Sequence, residues 1–483
     1  MAETPRTIIT TKTLLYAAVI LISALSPFFL ITEFYYVPFL LIAAVCFAGL
    51  IFYSPMLGLY IYTVFLLIRP QEWLGVLSAI PVPMERPIAI LLLISVLLHK
   101  HVRHSVKLNW TSIDKTLIIY MAMIAFTVVF SINVDESWVE YQDALKLALL
   151  HFIVGAVIED RKQLRWYLIW IIALTIFYST YSVYGYYTGH RQYRMGIWRA
   201  LGPDSSYGAP NSLAATLICS LPFLFYFYSR ELRAIYRWVL VGGMAIMLWN
   251  LILTGSRTGM GATLVFFILV MWQSKHRARN FIVSSVLLTC IWFIMPQQYQ
   301  ERFISTKELT PVEDRTGASA SASSRIVGMK IGFRMLATRP LTGYGLGNFG
   351  WVAGTYFDPT WWIPAHSLIG QLCGEVGLVG IIGFITWIAL LVYHLARLRR
   401  KYDSQDDPFM SNLALSLKTQ LIILLVLGLG GHNLFRYSWF VISALTACLL
   451  KIERSERAGI VNETAEGQTV SFEPSPGSTQ SSL

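Results

Sequence analysis

Apolar stretches close to 20 residues long recur along almost the whole chain, separated by short polar connections. A helix of that length spans the hydrocarbon core of a bilayer. In lipid, every backbone N–H and C=O must be satisfied within the spanning structure, which leaves only helices and closed barrels. A barrel would show alternation over ~10-residue strands, and the sequence lacks it. The chain is 55% hydrophobic and 13% charged, against roughly 25% charge in a soluble domain. The expected fold is therefore all-α: a polytopic transmembrane helical bundle of about 12–14 spans, with one large periplasmic loop containing interfacial helices.

Charge placement orients this bundle. Lys100–Lys107, Asp160–Arg165, Arg230–Arg237, Lys275–Arg279, Arg397–Lys401 and Lys451–Arg457 are basic connections. All fall on one side when both termini are cytoplasmic, because lysine and arginine in short loops resist translocation. The net charge of +11 is thus a topological signal, and a nucleic-acid partner is not expected. The run Leu14–Ile31 reads as an uncleaved first span. Residues 1–187 form N-terminal spans, 188–395 a core that includes the polar loop 296–364, and 396–457 C-terminal spans. Residues 458–483, rich in Ser, Gly, Glu, Thr and Pro, are expected to be a disordered cytoplasmic tail. The five cysteines lie in apolar segments and read as packing residues.

The opposite, outer side receives 69–84, 132–143, 188–210, a tight turn at 255–257, the long loop, and 430–436. Arg69, Arg191, Arg194, Arg199, Arg257, Arg325, Arg339 and Arg436 lie there, against the charge rule. Arginines in that position call for a functional reading.

Thr254-Gly-Ser-Arg-Thr-Gly259 breaks a pair of apolar segments. Its glycines permit a tight turn, and Ser256 can cap the next helix. Arg257 at a helix N-terminus is suited to phosphate, or it snorkels to headgroups. Arg325 opens an amphipathic stretch that Ser323 or Ser324 can cap and Pro340 stops, expected to lie on the membrane surface. That arginine binds a specific phosphate or simply anchors the helix. Gly343-Tyr-Gly-Leu-Gly347 allows either close approach to a ligand or a plain turn. His366, two residues before a span, can take a proton from a hydroxyl as a neutral imidazole, or it hydrogen-bonds headgroups. Glu375, inside the next apolar segment, is costly unless paired inward. No metal-ligand motif and no nucleotide-binding loop is present, so no cofactor and no metal is expected.

These residues together resemble the bacterial O-antigen ligase and O-antigen polymerase family of membrane glycosyltransferases. The resemblance runs over about residues 195–395. It is carried by Gly202-Pro-Asp-Ser-Ser-Tyr-Gly-Ala-Pro-Asn211, Leu253-Thr-Gly-Ser-Arg257, Ser324-Arg325, Arg339-Pro-Leu-Thr-Gly-Tyr-Gly-Leu-Gly-Asn-Phe349, and Ala365-His366-Ser367 with Gly374-Glu-Val-Gly377. Ser367 stands where the family more often has asparagine. The resemblance implies an undecaprenyl-diphosphate-linked glycan donor at the periplasmic face of the inner membrane. The acceptor it implies is a hydroxyl of lipid A-core, a protein or another glycan. It further implies that Arg257 and Arg325 bind the diphosphate and that His366 activates the acceptor, with Arg199, Arg339 and Glu375 in support. A polymerase shares the donor and differs in its acceptor. A transporter would carry charge midway through its spans, which is scarce here. A purely structural subunit leaves the outer arginines to membrane lipids alone.

Overall fold

The computed structural model describes residues 37–73, 84–102, 110–194, 196–205, 208–229, 232–273, 277–304 and 318–469. The expected first span and the end of the tail lie outside these residues.

The described chain is almost wholly helical. In order it contains α1 (Val37–Tyr53), α2 (Pro55–Leu67), α3 (Glu85–Val102), α4 (Ser112–Val129), α5 (Val134–Val157) and α6 (Arg161–Thr188). A short antiparallel hairpin follows, β1 (Arg191–Arg194) with β2 (Ile197–Ala200), paired Arg194 to Ile197. Then come α7 (Pro210–Tyr226), α8 (Ala234–Leu253), α9 (Arg257–Gln273), α10 (Arg277–Ile294), α11 (Gln297–Ile304), α12 (Ala318–Thr338) and the short α13 (Phe349–Val352). The chain ends with α14 (Leu368–Ser404), α15 (Pro408–Gly428) and α16 (Tyr437–Thr469). Six helices combine the length and apolarity needed to cross a membrane: α4, α6, α8, α10, α14 and α15. Shorter apolar helices, including α2, α7 and α9, lie among them.

Local chemistry sets the helix limits. Thr111 and Asp114 form a reciprocal capping box at the start of α4, and Asp160 caps α6. Gly189, at φ 107°, ends α6 in the left-handed conformation that glycine adopts without penalty. Asn133 caps α5, with Asp135 and Glu136 in its first turn favouring the helix dipole. So α5 begins ten residues earlier than the apolar window at 144 suggested, and most of the expected outer loop 132–143 is helix.

The core is aromatic where α4, α14 and α16 meet. Trp387 stacks on Tyr120 at 5.4 Å and meets Phe440 at 5.4 Å, while Phe384 meets Trp439 edge-on at 5.5 Å. Trp387, Trp439 and Phe440 are fully buried. Such rings bury large areas with few rotamers, so they fix the start of α16, which follows the turn 429–436.

Two expectations change. Helix α12 begins at Ala318, so Ser323 and Ser324 lie inside it rather than capping it. One side of its apolar pattern is covered by the protein itself. It packs along Leu368–Val376, with Ile331 and Met335 buried. The reason is a pair of glycines. A Cβ on Gly328 would stand 2.2 Å from the Ala365 carbonyl oxygen, and one on Gly332 would stand 2.7 Å from the Gly370 Cα. Backbone meets backbone there, as only glycine permits. At the other end of the chain, α16 continues to Thr469, beyond the expected start of the tail at 458.

Candidate functional site

The turn before α9 is built tightly. Gly255 takes φ 56°, and a Cβ there would meet Ile197 of β2 at 2.4 Å. Ser256 Oγ accepts the Gly259 N–H at 3.2 Å, capping α9 as the sequence suggested. Arg199, buried under the hairpin, donates from Nε to the Thr254 carbonyl at 2.6 Å and from Nη2 to Asn211 Oδ1 at 2.8 Å. Arg199 thus holds the turn in place, and the turn sets Arg257 at the head of α9.

Helix α12 brings Arg325 to the same place. Arg325, Gly328 and Gly332 share one helical face by their spacing of three and seven residues. The glycine contacts with 365–370 therefore aim Arg325 at the start of α14. Its guanidinium is held below its usual pKa by burial and then by the charge of Arg257. Two like charges this close, in a half-buried setting, favour an anion between them. Gly430, in the turn between α15 and α16, closes the gap. A Cβ there would meet Thr258 Oγ1 at 2.7 Å and Arg325 Nε at 3.2 Å.

His366 stands at the other edge of this cluster. It adopts φ 50°, an uncommon left-handed conformation for a residue with a side chain. Ser367 follows in extended conformation and caps α14 by accepting the Gly370 N–H at 3.0 Å. The His366 imidazole is held down to a pKa of about 4, by burial first and then by His432, Arg325 and Arg194. It is therefore neutral at ordinary pH, the form able to accept a proton. Arg257, Arg325 and His366, about 110 residues apart from first to last, form one electrostatic neighbourhood.

The three residues expected to support the site make their contacts with protein groups outside the cluster. Arg339 lies over the Tyr344 ring at 5.1 Å and donates to the Phe130 carbonyl at 3.4 Å. Glu375 lies in a π-helical turn of α14, Leu372–Val376, and accepts from Gln371 Nε2 at 3.2 Å and from the Gly347 and Phe349 amides. The glycine run is a turn. Gly343, Gly345 and Gly347 all have positive φ, and their Cβ positions are filled by the Glu375 backbone, by Ser131 and by Glu140. Of the two readings of that run, close approach to a ligand finds no support in this packing.

Two residues near His366 received no role from the sequence. Arg194 reaches it from the hairpin, and His432 faces it with ring centres 5.7 Å apart. Arg194 stood among the outer arginines, and His432 sits in a Gly-Gly-His-Asn turn just before a span, much as His366 does. Among the described residues no group of three or more His, Cys, Asp or Glu side chains is placed to hold a metal ion.

The fold and this cluster define a polytopic helical membrane protein with a cationic, histidine-bearing cluster built from distant parts of the chain. Residues 242–385, from within α8 into α14, match the family model described as O-antigen ligase. The match spans Arg257, Arg325 and His366 and supports the resemblance to the O-antigen ligase and polymerase family of membrane glycosyltransferases. A comparison with curated proteins gave no match.

Proposed function

We propose that this protein moves a glycan from undecaprenyl diphosphate to an acceptor hydroxyl at the periplasmic face of the bacterial inner membrane, acting as a ligase. The observation that carries this reading is the convergence of two partly buried arginines and a neutral histidine in one electrostatic neighbourhood. A diphosphate-linked donor already has a good leaving group. The enzyme must place the nucleophile, remove its proton and stabilise the negative charge growing on the diphosphate. Arg257 and Arg325 hold the diphosphate, and guanidinium forks suit its oxygens. His366 takes the acceptor proton as the acceptor oxygen bonds to the anomeric carbon. The bond from that carbon to the diphosphate oxygen breaks, and its electron pair leaves with the diphosphate. A single displacement of this kind inverts the anomeric centre.

The test is glycan transfer in membranes from a deletion strain complemented with wild type or His366→Ala at matched protein levels. Loss of surface glycan with accumulation of the lipid-linked donor in the variant is expected. Unchanged glycan in the deletion itself would reject the reading. A ladder of repeat lengths in place of one transfer to a distinct acceptor would identify a polymerase, and retained stereochemistry would rule out direct displacement.

A further inference from the structure

Two imidazoles meet in this cluster. His432 lies in the turn between α15 and α16, with its ring tilted 47° to that of His366 at a centre separation of 5.7 Å. No direct hydrogen bond joins the rings, and neither ring is bonded to another described residue. His366 is half-buried and His432 is exposed to solvent. An oxygen placed between the rings can reach a nitrogen of each.

The turn that carries His432 is held from four helices. Trp439 donates its indole N–H to the Asn433 carbonyl at 2.8 Å, and Asn433 Nδ2 donates to Leu424 O of α15 at 3.1 Å. The Leu434 N–H donates to Gln371 Oε1 of α14 at 3.2 Å, and Gln371 in turn is held by Glu375. Arg436 donates from Nη2 to Ser212 O and Thr216 Oγ1 of α7, at 2.8 and 2.6 Å. A turn held in this way sets the backbone position of His432 before a ligand arrives. Glu375 thereby supports the transfer site at one remove, through the His432 turn.

A proton acceptor alone does not complete a nucleophile. The hydroxyl must present its hydrogen to the base and a lone pair to the anomeric carbon at the same time. His366 can receive the hydrogen and cannot also fix the oxygen. A neutral imidazole carries one N–H donor, and that of His432 has no hydrogen-bond partner among the described residues. We propose that the acceptor hydroxyl binds between His366 and His432, giving its proton to His366 while its oxygen accepts the His432 N–H. His432 is then a substrate-positioning residue for the transfer, and it lies outside the segment 242–385 that matches the family. The inference rests on reading the protein as a glycan transferase. The proton balance is that of the transfer itself, since His432 keeps its own hydrogen throughout.

The test uses full-length wild type, His432→Phe and His432→Gln in membranes of the deletion strain. The donor is the lipid-linked glycan that accumulates in that strain, and its acceptor fraction is titrated. His432→Phe is expected to lower kcat/KM for the acceptor roughly tenfold, the weight of one hydrogen bond, with the donor KM unchanged. His432→Gln keeps an N–H donor and is expected to recover most of the loss. Wild-type acceptor kinetics in His432→Phe would overturn the proposal. So would a loss confined to the donor KM, or a glutamine variant no better than phenylalanine. Equal loss of melting temperature in both variants would mark a structural histidine and overturn it as well. Absence of transfer by wild type, with normal glycan in the deletion strain, is a distinct failure. It removes the transferase reading itself, and the proposal with it.

Discussion

A Cβ on Gly328 would stand 2.2 Å from the carbonyl oxygen of Ala365, the residue before His366. That close approach ties the helix bearing Arg325 to the loop bearing His366. Gly328→Ala should therefore separate stability from activity. Alanine favours a helix over glycine, but the methyl group must push α12 off the His366 loop, an overpacking cost of ~1–3 kcal/mol. The expected outcome is a protein that inserts normally and loses glycan transfer by more than roughly tenfold. Wild-type transfer by Gly328→Ala in level-matched membranes would show that the contact does not align the site.

Arg325 has no ion pair among the described residues and feels the like charge of Arg257. Its removal should cost the empty protein little. Arg325→Gln is expected to melt at or above the wild-type temperature in detergent, while transfer falls by about a hundredfold or more. Arg325→Lys should also be poor, because an ammonium cannot reproduce a bidentate fork. Near-normal transfer by the lysine variant would contradict that geometry.

The depressed pKa of His366 fixes the sign of a pH effect. Burial, His432, Arg325 and Arg194 favour the neutral ring down to about pH 4. The acidic limb of kcat/KM that reports the free enzyme should thus fall well below the ~6.5 of an ordinary histidine. A bound diphosphate offsets the charge of Arg325 and favours the imidazolium. The limb of kcat is therefore expected at higher pH than that of kcat/KM. Unfolding the chain frees His366 to bind a proton between about pH 6.5 and 4, so this group's contribution to stability declines as pH falls through that window. Coincident limbs near pH 6.5 in both profiles would show that His366 is not held neutral.

Arg199 acts on the other arginine from beneath. Arg199→Ala leaves the Thr254 carbonyl without its 2.6 Å donor and Asn211 without its 2.8 Å donor. Hydrogen bonds from a charged donor are worth ~1.5–3 kcal/mol each. The variant should melt several degrees lower and lose transfer as the turn at Thr254–Ser256 loosens. A variant with full stability and a raised donor KM would instead place Arg199 in contact with the donor.

Much of the architecture was legible before any fold was known. Continuous apolar periodicity and the placement of lysine and arginine fix a helical membrane bundle, because bilayer thickness and backbone hydrogen bonding leave no other solution. The same holds for the Ser256 cap and for the end of α12 before Pro340, which depend on neighbours in sequence. The amphipathic pattern after Arg325 misled in one respect. Apolar residues on one face look alike whether lipid or protein covers them, and here the covered face docks on α14 through Gly328 and Gly332. The glycine run at 343–347 was ambiguous for a similar reason, since positive φ is a property of the finished turn.

By itself, then, the sequence determined the class of fold, the two arginine-bearing segments and the histidine ahead of a span. Only the tertiary structure decided that Arg257, Arg325 and His366 share one electrostatic neighbourhood, that Arg199 holds the turn before Arg257, and that His432 faces His366. Those relations join positions far apart in the chain. They are set by glycine-to-backbone contacts and by an aromatic core where the middle of α14 meets the start of α16, and no local pattern records which distant surface a small residue will meet.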